Sequence, residues 1–167
     1  MESNSTYYKT PIGFAEIIGD KNGIQSIALL DNSTNKLGSK KFGLPQDIPE
    51  CLQECALQLK EYFKGERTKF DLLLNPQGTS FQKLVWKELC NIPFGKTKSY
   101  LTQSKQIGNP KAVRAVASAN GKNPIWIVVP CHRVIGSDGS LTGYAGGLWR
   151  KKWLLDHESP VKQQSLF

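Results

Sequence analysis

The chain has 167 residues, room for one ordinary domain or two small lobes, and its 39% apolar content suits a buried core rather than disorder. Its longest strongly apolar run, residues 125–129, is far short of the roughly 20 residues that span a bilayer, so no membrane partner is expected. The net charge of +8 is segregated: residues 1–80 carry 9 Lys and Arg against 10 Asp and Glu, whereas residues 81–167 carry 13 against 4. A basic half suits a polyanion such as nucleic acid, although a solvated face kept for solubility would look the same.

Residues 7–18 and 24–30, rich in Ile, Tyr and Phe, read as strands, with Asn22-Gly23 between them as a tight hairpin turn. A helix is expected over 48–64, where Leu52, Cys55, Ala56, Leu59 and Phe63 share a stripe between Pro49 and Gly65. Residues 70–74 suit a further strand. Asn75-Pro76-Gln77-Gly78 is the best joint, dividing an α/β lobe, 1–76, from a second lobe, 77–167. Thr79 and Gln82 form a capping box for a helix that should bury Phe81, Leu84, Val85 and Leu89. Ile92-Pro93-Phe94-Gly95 ends it in a turn.

Ser99 can cap a short helix from Tyr100, in which only Leu101 and Ile107 are strongly apolar. Gly108-Asn109 turns the chain, and Pro110 opens a helix over 111–120 that should point Val113, Val116 and Ala117 inward and Arg114 away. Two short helices around a Gly-containing turn read as a helix-turn-helix with the second helix as reader. Ala115, Ala117, Ser118 and Ala119 are small enough for close backbone approach, and Arg114 stands among them as a long cation.

Cysteines occur at 51, 55, 90 and 131. Residues 1–5 show no basic stretch before an apolar one, so a reducing cytoplasmic setting (nuclear in a eukaryote) is expected rather than disulfides. Cys51 and Cys55 share a helix face and suit core packing. His132 and His157 are the only histidines and no paired CxxC spacing occurs, so no metal is expected.

After Asn123-Pro124 an apolar strand, 125–129, is expected to lead through Pro130 to Cys131 and His132. A thiol attacks as thiolate, and a free cysteine has a pKa of about 8.5, so it needs a base; His132 is the obvious one, directly or through one water. An isolated Cys-His pair is more often packing than catalysis. Here Pro130 and the glycine-rich stretch 136–143 set it among turns, where sites tend to be built.

Pro130-Cys131-His132-Arg133-Val134 resembles the active-site signature of the O6-alkylguanine-DNA alkyltransferases, or methylated-DNA–protein-cysteine methyltransferases. The resemblance runs in order through residues 81–158. It takes in Phe81-Gln82 to Trp86, Ile92-Pro93-Phe94-Gly95-Lys96-Thr97 with Ser99-Tyr100, and Gly108-Asn109-Pro110-Lys111-Ala112-Val113-Arg114-Ala115-Val116. It continues through Asn123-Pro124, Gly143-Tyr144-Ala145-Gly146-Gly147-Leu148 and Trp153-Leu154-Leu155 with His157-Glu158. Ser104 and Lys105 depart from it, being more polar than the family's usual residues there.

The resemblance implies a ribonuclease H-like α/β N-terminal lobe and a mostly helical C-terminal lobe with a winged-helix-like helix-turn-helix. It implies direct-reversal DNA repair: an alkyl group passes irreversibly from O6-alkylguanine in double-stranded DNA, with O4-alkylthymine a further candidate, to Cys131. His132 would take the thiol proton through a water, Glu158 would orient His132, and Asn123 would brace the loop. Tyr100 would assist the leaving guanine. Arg114 would replace the flipped nucleotide, with Lys111, Ala115 and Ser118 on the same DNA-facing helix. Val134, Tyr144, Ala145 and Lys151 would line or support the guanine pocket. A monomer without a cofactor is expected. A plain DNA-binding regulator would leave Cys131, His132 and Glu158 without a task, and a thiol hydrolase would leave Arg114 and the charge segregation unexplained.

Overall fold

The computed structural model describes residues 2–31 and 47–160. The chain divides into two compact units, one running to Gln77 and taking in Pro124–Trp126, the other made of Gly78–Asn123 and the chain from Ile127 onward.

In the first unit β1 (Asn4–Thr10), β2 (Gly13–Asp20) and β3 (Gly23–Leu30) form an antiparallel meander. The stretch 7–18 is therefore two strands. Pro11 cannot donate to a ladder, and the turn it makes with Ile12 is closed by Thr10, whose Oγ1 accepts from the Ile12 N–H and donates to the Gly13 carbonyl. The second hairpin turns on Lys21-Asn22, one residue earlier than expected, with Gly23 (φ 133°) already paired to Asp20.

Helix α1 (Glu50–Phe63) packs on β1 and β2 and buries Leu52, Cys55, Ala56, Leu59 and Tyr62. Tyr62 takes the place expected of Phe63, and its ring meets that of Phe70 at 5.5 Å. The strand expected at 70–74 reduces to one parallel bridge, Ile24 to Leu74. Buried Gln58 is the reason: its side-chain amide donates to the Asp71 carbonyl (3.0 Å) and accepts from the Asp71 N–H (2.9 Å), taking the backbone groups a neighbouring strand would use.

The strand expected at 125–129 is likewise a single bridge. The Ile27 N–H donates to Pro124 O and its carbonyl accepts from the Trp126 N–H. The chain then turns through fully buried Ile127 at φ 73°, a left-handed conformation that a β-branched residue enters at a cost of about 1–3 kcal/mol. An apolar run looks the same whether it is a buried strand or a buried turn.

In the second unit α2 (Ser80–Leu89) opens on the expected capping box, Thr79 and Gln82 bonding reciprocally. Its buried stripe is Val85, Trp86 and Leu89, whereas Phe81 and Leu84 are 37% and 50% exposed. Trp86 decides this rotation: its indole is buried and donates to the Ala119 carbonyl at 2.8 Å. Two short strands, β4 (Lys98–Ser99) and β5 (Val134–Ile135), pair in parallel.

Helix α3 (Tyr100–Ile107) is capped by Ser99 and ends at Gly108, φ 95°. A 3-10 turn, Pro110–Ala112, leads into α4 (Val113–Gly121), which packs on α2 and α3. Inward on α4 are Val116, Ala119 and Asn120, with Val113 and Ala117 half-buried. α3 buries Gln103 and Ser104 while Leu101 stays 40% exposed, the reverse of a hydrophobicity-based reading. Helix α5 (Leu148–Glu158) closes the unit, burying Leu154 together with Arg150, Lys151 and Glu158. No helix among the described residues is long and apolar enough to cross a membrane.

Candidate active site

Cys131 opens a single 3-10 turn, Cys131–Arg133, directly after Pro130. Its own N–H donates to the Val129 carbonyl, so the chain doubles back at the cysteine. Asn123, at the end of the α4 segment, reaches this turn with one amide group: Nδ2 donates to Val129 O at 2.8 Å and to Cys131 Sγ at 3.3 Å. The thiol is 9% exposed. Burial pushes its pKa up, partly opposed by the Asn123 hydrogen bond and the Lys151 charge. Burial therefore favours the thiol over the thiolate.

His132 is fully buried, and its Nε2 lies 2.8 Å from Glu158 Oε2. Burial lowers the imidazole pKa and outweighs the opposing pull of Glu158, with the Arg133 and Lys151 charges lowering it further. Burial works against ionisation of Glu158 too, but hydrogen bonds and charges from His132 and Arg133 win and bring its pKa to about 2. A neutral imidazole against an ionised carboxylate must carry its proton on Nε2, which leaves Nδ1 as the bare lone pair. That Nδ1 is buried and has no hydrogen-bond partner among the described residues. The ring thus keeps its bare lone pair on the side away from the carboxylate.

Arg133, which sequence reading quoted only as part of a motif, holds the carboxylate from the other side. Its Nε donates to Glu158 Oε1 at 2.7 Å and its Nη2 to Oε2 at 3.1 Å, while Nη1 donates to the Ile92 carbonyl at 2.6 Å. This bidentate pair fixes the plane of the carboxylate that orients His132. In sequence it reads as one more cation in a basic half; only burial beside a residue 25 positions away gives it this task.

A second cluster forms where β4 and β5 pair, bringing Ser99, and with it Tyr100 at the start of α3, beside the chain leaving Cys131. Tyr100 Oη donates to Thr142 O at 2.8 Å. Lys151 Nζ donates to the same carbonyl at 2.8 Å and reaches Gly143 O and Tyr100 Oη at 3.4 Å each. Lys151 is fully buried, and burial lowers its pKa to about 8 against the opposing pull of Cys131. It therefore ties loop 142–143 to α3. Tyr144 Oη is buried, its pKa raised by burial and then by Cys131; Val134 is buried and Ala145 exposed. Lys111, Arg114, Ala115 and Ser118, at positions i, i+3, i+4 and i+7, are all exposed on one side of the α4 segment.

Fold and site together define a class: a protein that keeps a buried thiol next to a neutral imidazole anchored on a carboxylate, in the same unit as a helix-turn-helix. Residues 80–160 match the family model described as 6-O-methylguanine DNA methyltransferase, DNA binding domain, and residues 5–76 match the same family's ribonuclease-like domain. The chain belongs to this family, the methylated-DNA–protein-cysteine methyltransferases, whose activity is alkyl transfer from DNA to a protein cysteine. A relative from Methanosarcina barkeri bearing that name is 47% identical over 153 residues, covering 90% of this chain and 93% of the relative. The Mycobacterium tuberculosis O6-methylguanine methyltransferase structure superposes with a TM-score of 0.80 at 38% identity, covering 99% of this chain and all of that one. The M. tuberculosis OGT in complex with DNA gives 0.79 at 40%, covering 98% and 99%.

Proposed function

We propose that this protein repairs O6-alkylguanine in double-stranded DNA by passing the alkyl group to Cys131, with the roles of the side chains as follows. The carrying observation is the neutral His132 whose Nδ1, not its Nε2, is left to accept a proton. The thiol proton leaves through a bridging water to Nδ1, Glu158 steadies the resulting imidazolium, and Asn123 holds Sγ. The sulfur–carbon bond forms as the carbon–O6 bond breaks, Tyr100 donates a hydrogen bond to the guanine ring, and the proton taken up by His132 passes on through solvent to leave ordinary neutral guanine. Thioether formation has no simple reverse, so each molecule acts once and no cofactor enters the balance.

A base inside a duplex is out of reach, so it must be flipped, at a cost of a few kcal/mol. Exposed Arg114 is suited to fill the gap, with Lys111 on the phosphates and Ala115 and Ser118 giving close approach. Val134, Tyr144, Ala145 and Lys151 form or support the receiving pocket. Residues 77–167 then bind DNA and accept the alkyl group while residues 1–76 form a separate lobe, and the working form is a cytoplasmic monomer; the segregated basic half supports the first of these.

The test is intact-protein mass after mixing with duplex carrying O6-methylguanine, with the modified peptide mapped. A gain of one methyl group per protein, on Cys131, is the expected result, and a parallel duplex carrying O4-methylthymine reads the breadth of the pocket. No mass gain from reduced, folded protein that still binds the duplex would reduce the reading to DNA binding.

A further inference from the structure

Helices α3 and α4 meet through polar groups. Gln103 and Asn120, 1% and 6% exposed, exchange two hydrogen bonds: Gln103 Nε2 to Asn120 Oδ1 at 2.9 Å, and Asn120 Nδ2 to Gln103 Oε1 at 2.8 Å. Ser104 on α3 (whose hydroxyl donates to the Tyr100 carbonyl) and Ala119 on α4 are buried as well. Apolar side chains tolerate a range of slides and rotations, whereas two amides sharing two hydrogen bonds tolerate very little. A buried polar pair of this kind can specify one arrangement where a greasy contact allows several.

The two residues are also joined to each part of the site. Gln103 lies one turn after Tyr100 on α3. Asn120 ends the helix that displays Arg114, Ala115 and Ser118, and its carbonyl accepts the Asn123 N–H at 3.2 Å. Asn123 in turn holds Cys131 Sγ. We propose that Gln103 and Asn120 are positioning residues that set the angle of α4 against α3 and so place Arg114 relative to Tyr100 and Cys131 when duplex DNA is engaged. This rests on the repair reading above.

The experiment compares wild type, Gln103→Leu, Asn120→Met and the double variant in three assays: thermal stability, Cys131 labelling by free O6-benzylguanine, and repair of a duplex carrying O6-methylguanine. Each single variant strands a buried amide and should lower Tm by about 5 °C. In the double variant both amides are gone, so Tm should return close to the wild-type value. Free-base labelling, which uses Tyr100 and Cys131 but not the duplex-facing Arg114, should stay within about twofold throughout, while duplex repair by the double variant should remain about tenfold slow.

Duplex repair restored along with stability in the double variant would overturn the proposal and leave the pair as packing. Equal losses on duplex and free base would do the same. Failure of wild type to label with either substrate would instead sink the repair reading. Duplex affinity of the same four proteins would then decide the inference: weaker binding by the stable double variant supports it, and unchanged binding overturns it.

Discussion

Two buried cysteines, one in each unit, face opposite futures. Cys55 is packed on α1 at 1% exposure, and burial alone drives its pKa to about 12. Cys131 is buried too and its pKa is also raised, yet Asn123 donates to its sulfur and the Lys151 charge favours its thiolate. Burial makes a thiol inert in both places. What distinguishes Cys131 is its polar company, the Asn123 amide and the Lys151 charge, with the imidazole of His132 next in the chain.

The comparison breaks most cleanly at the sulfur. Cys131→Ala should abolish transfer completely while keeping duplex binding, and Cys55→Ala should leave transfer at the wild-type level; intact mass and a gel-shift assay read both. Next in size is Glu158→Gln, which puts an amide between His132 and Arg133 and should slow labelling of Cys131 by about 10²–10³-fold in stopped assays. A rate within twofold of wild type would show that His132 needs no carboxylate to hold its tautomer. Arg114→Ala should cost about tenfold or more on duplex and almost nothing on free O6-benzylguanine, since only the duplex must be opened. Equal repair of duplex by this variant and wild type would remove Arg114 from the base-flipping step.

The smallest effects are on stability. The folded-state pKa of Glu158 is about 2 against an ordinary 4.5, so the unfolded chain takes up that proton first as pH falls. The stabilisation is complete above about 4.5, worth about 3 kcal/mol, and is lost towards pH 2. His132 adds the same sign: its folded pKa is lowered below 6.5, so acid favours unfolding from there downward. Denaturant titrations between pH 7 and 3 should show this slope, and Glu158→Gln should flatten its lower part.

Much of the site was legible because its chemistry is written in short local strings. The capping box of Thr79 and Gln82, the Ser99 cap, Pro110 at the start of the α4 segment and the Cys131-His132 pair each depend on neighbours within a few residues. The misreadings share a cause. Hydrophobicity places Phe81 and Leu84 in the core and gives no sign that Gln103 and Ser104 lie there, because it ranks residues without knowing which side a neighbour covers. Residues 70–74 and 125–129 have the composition of strands, but Gln58 takes the hydrogen bonds of one and Ile127 turns the other.

By itself the sequence determined the helical segments α1 to α4, the adjacency of Cys131 and His132, and the concentration of positive charge in the second half, since these follow from residue type and short spacing. Only the tertiary structure decided that Arg133 grips Glu158, that Nδ1 of His132 is the free lone pair, that Lys151 is buried with its pKa lowered, and that Gln103 meets Asn120. Each of these is a contact between residues well apart in sequence, whose strength depends on exclusion from water, and exclusion from water belongs to the folded chain as a whole.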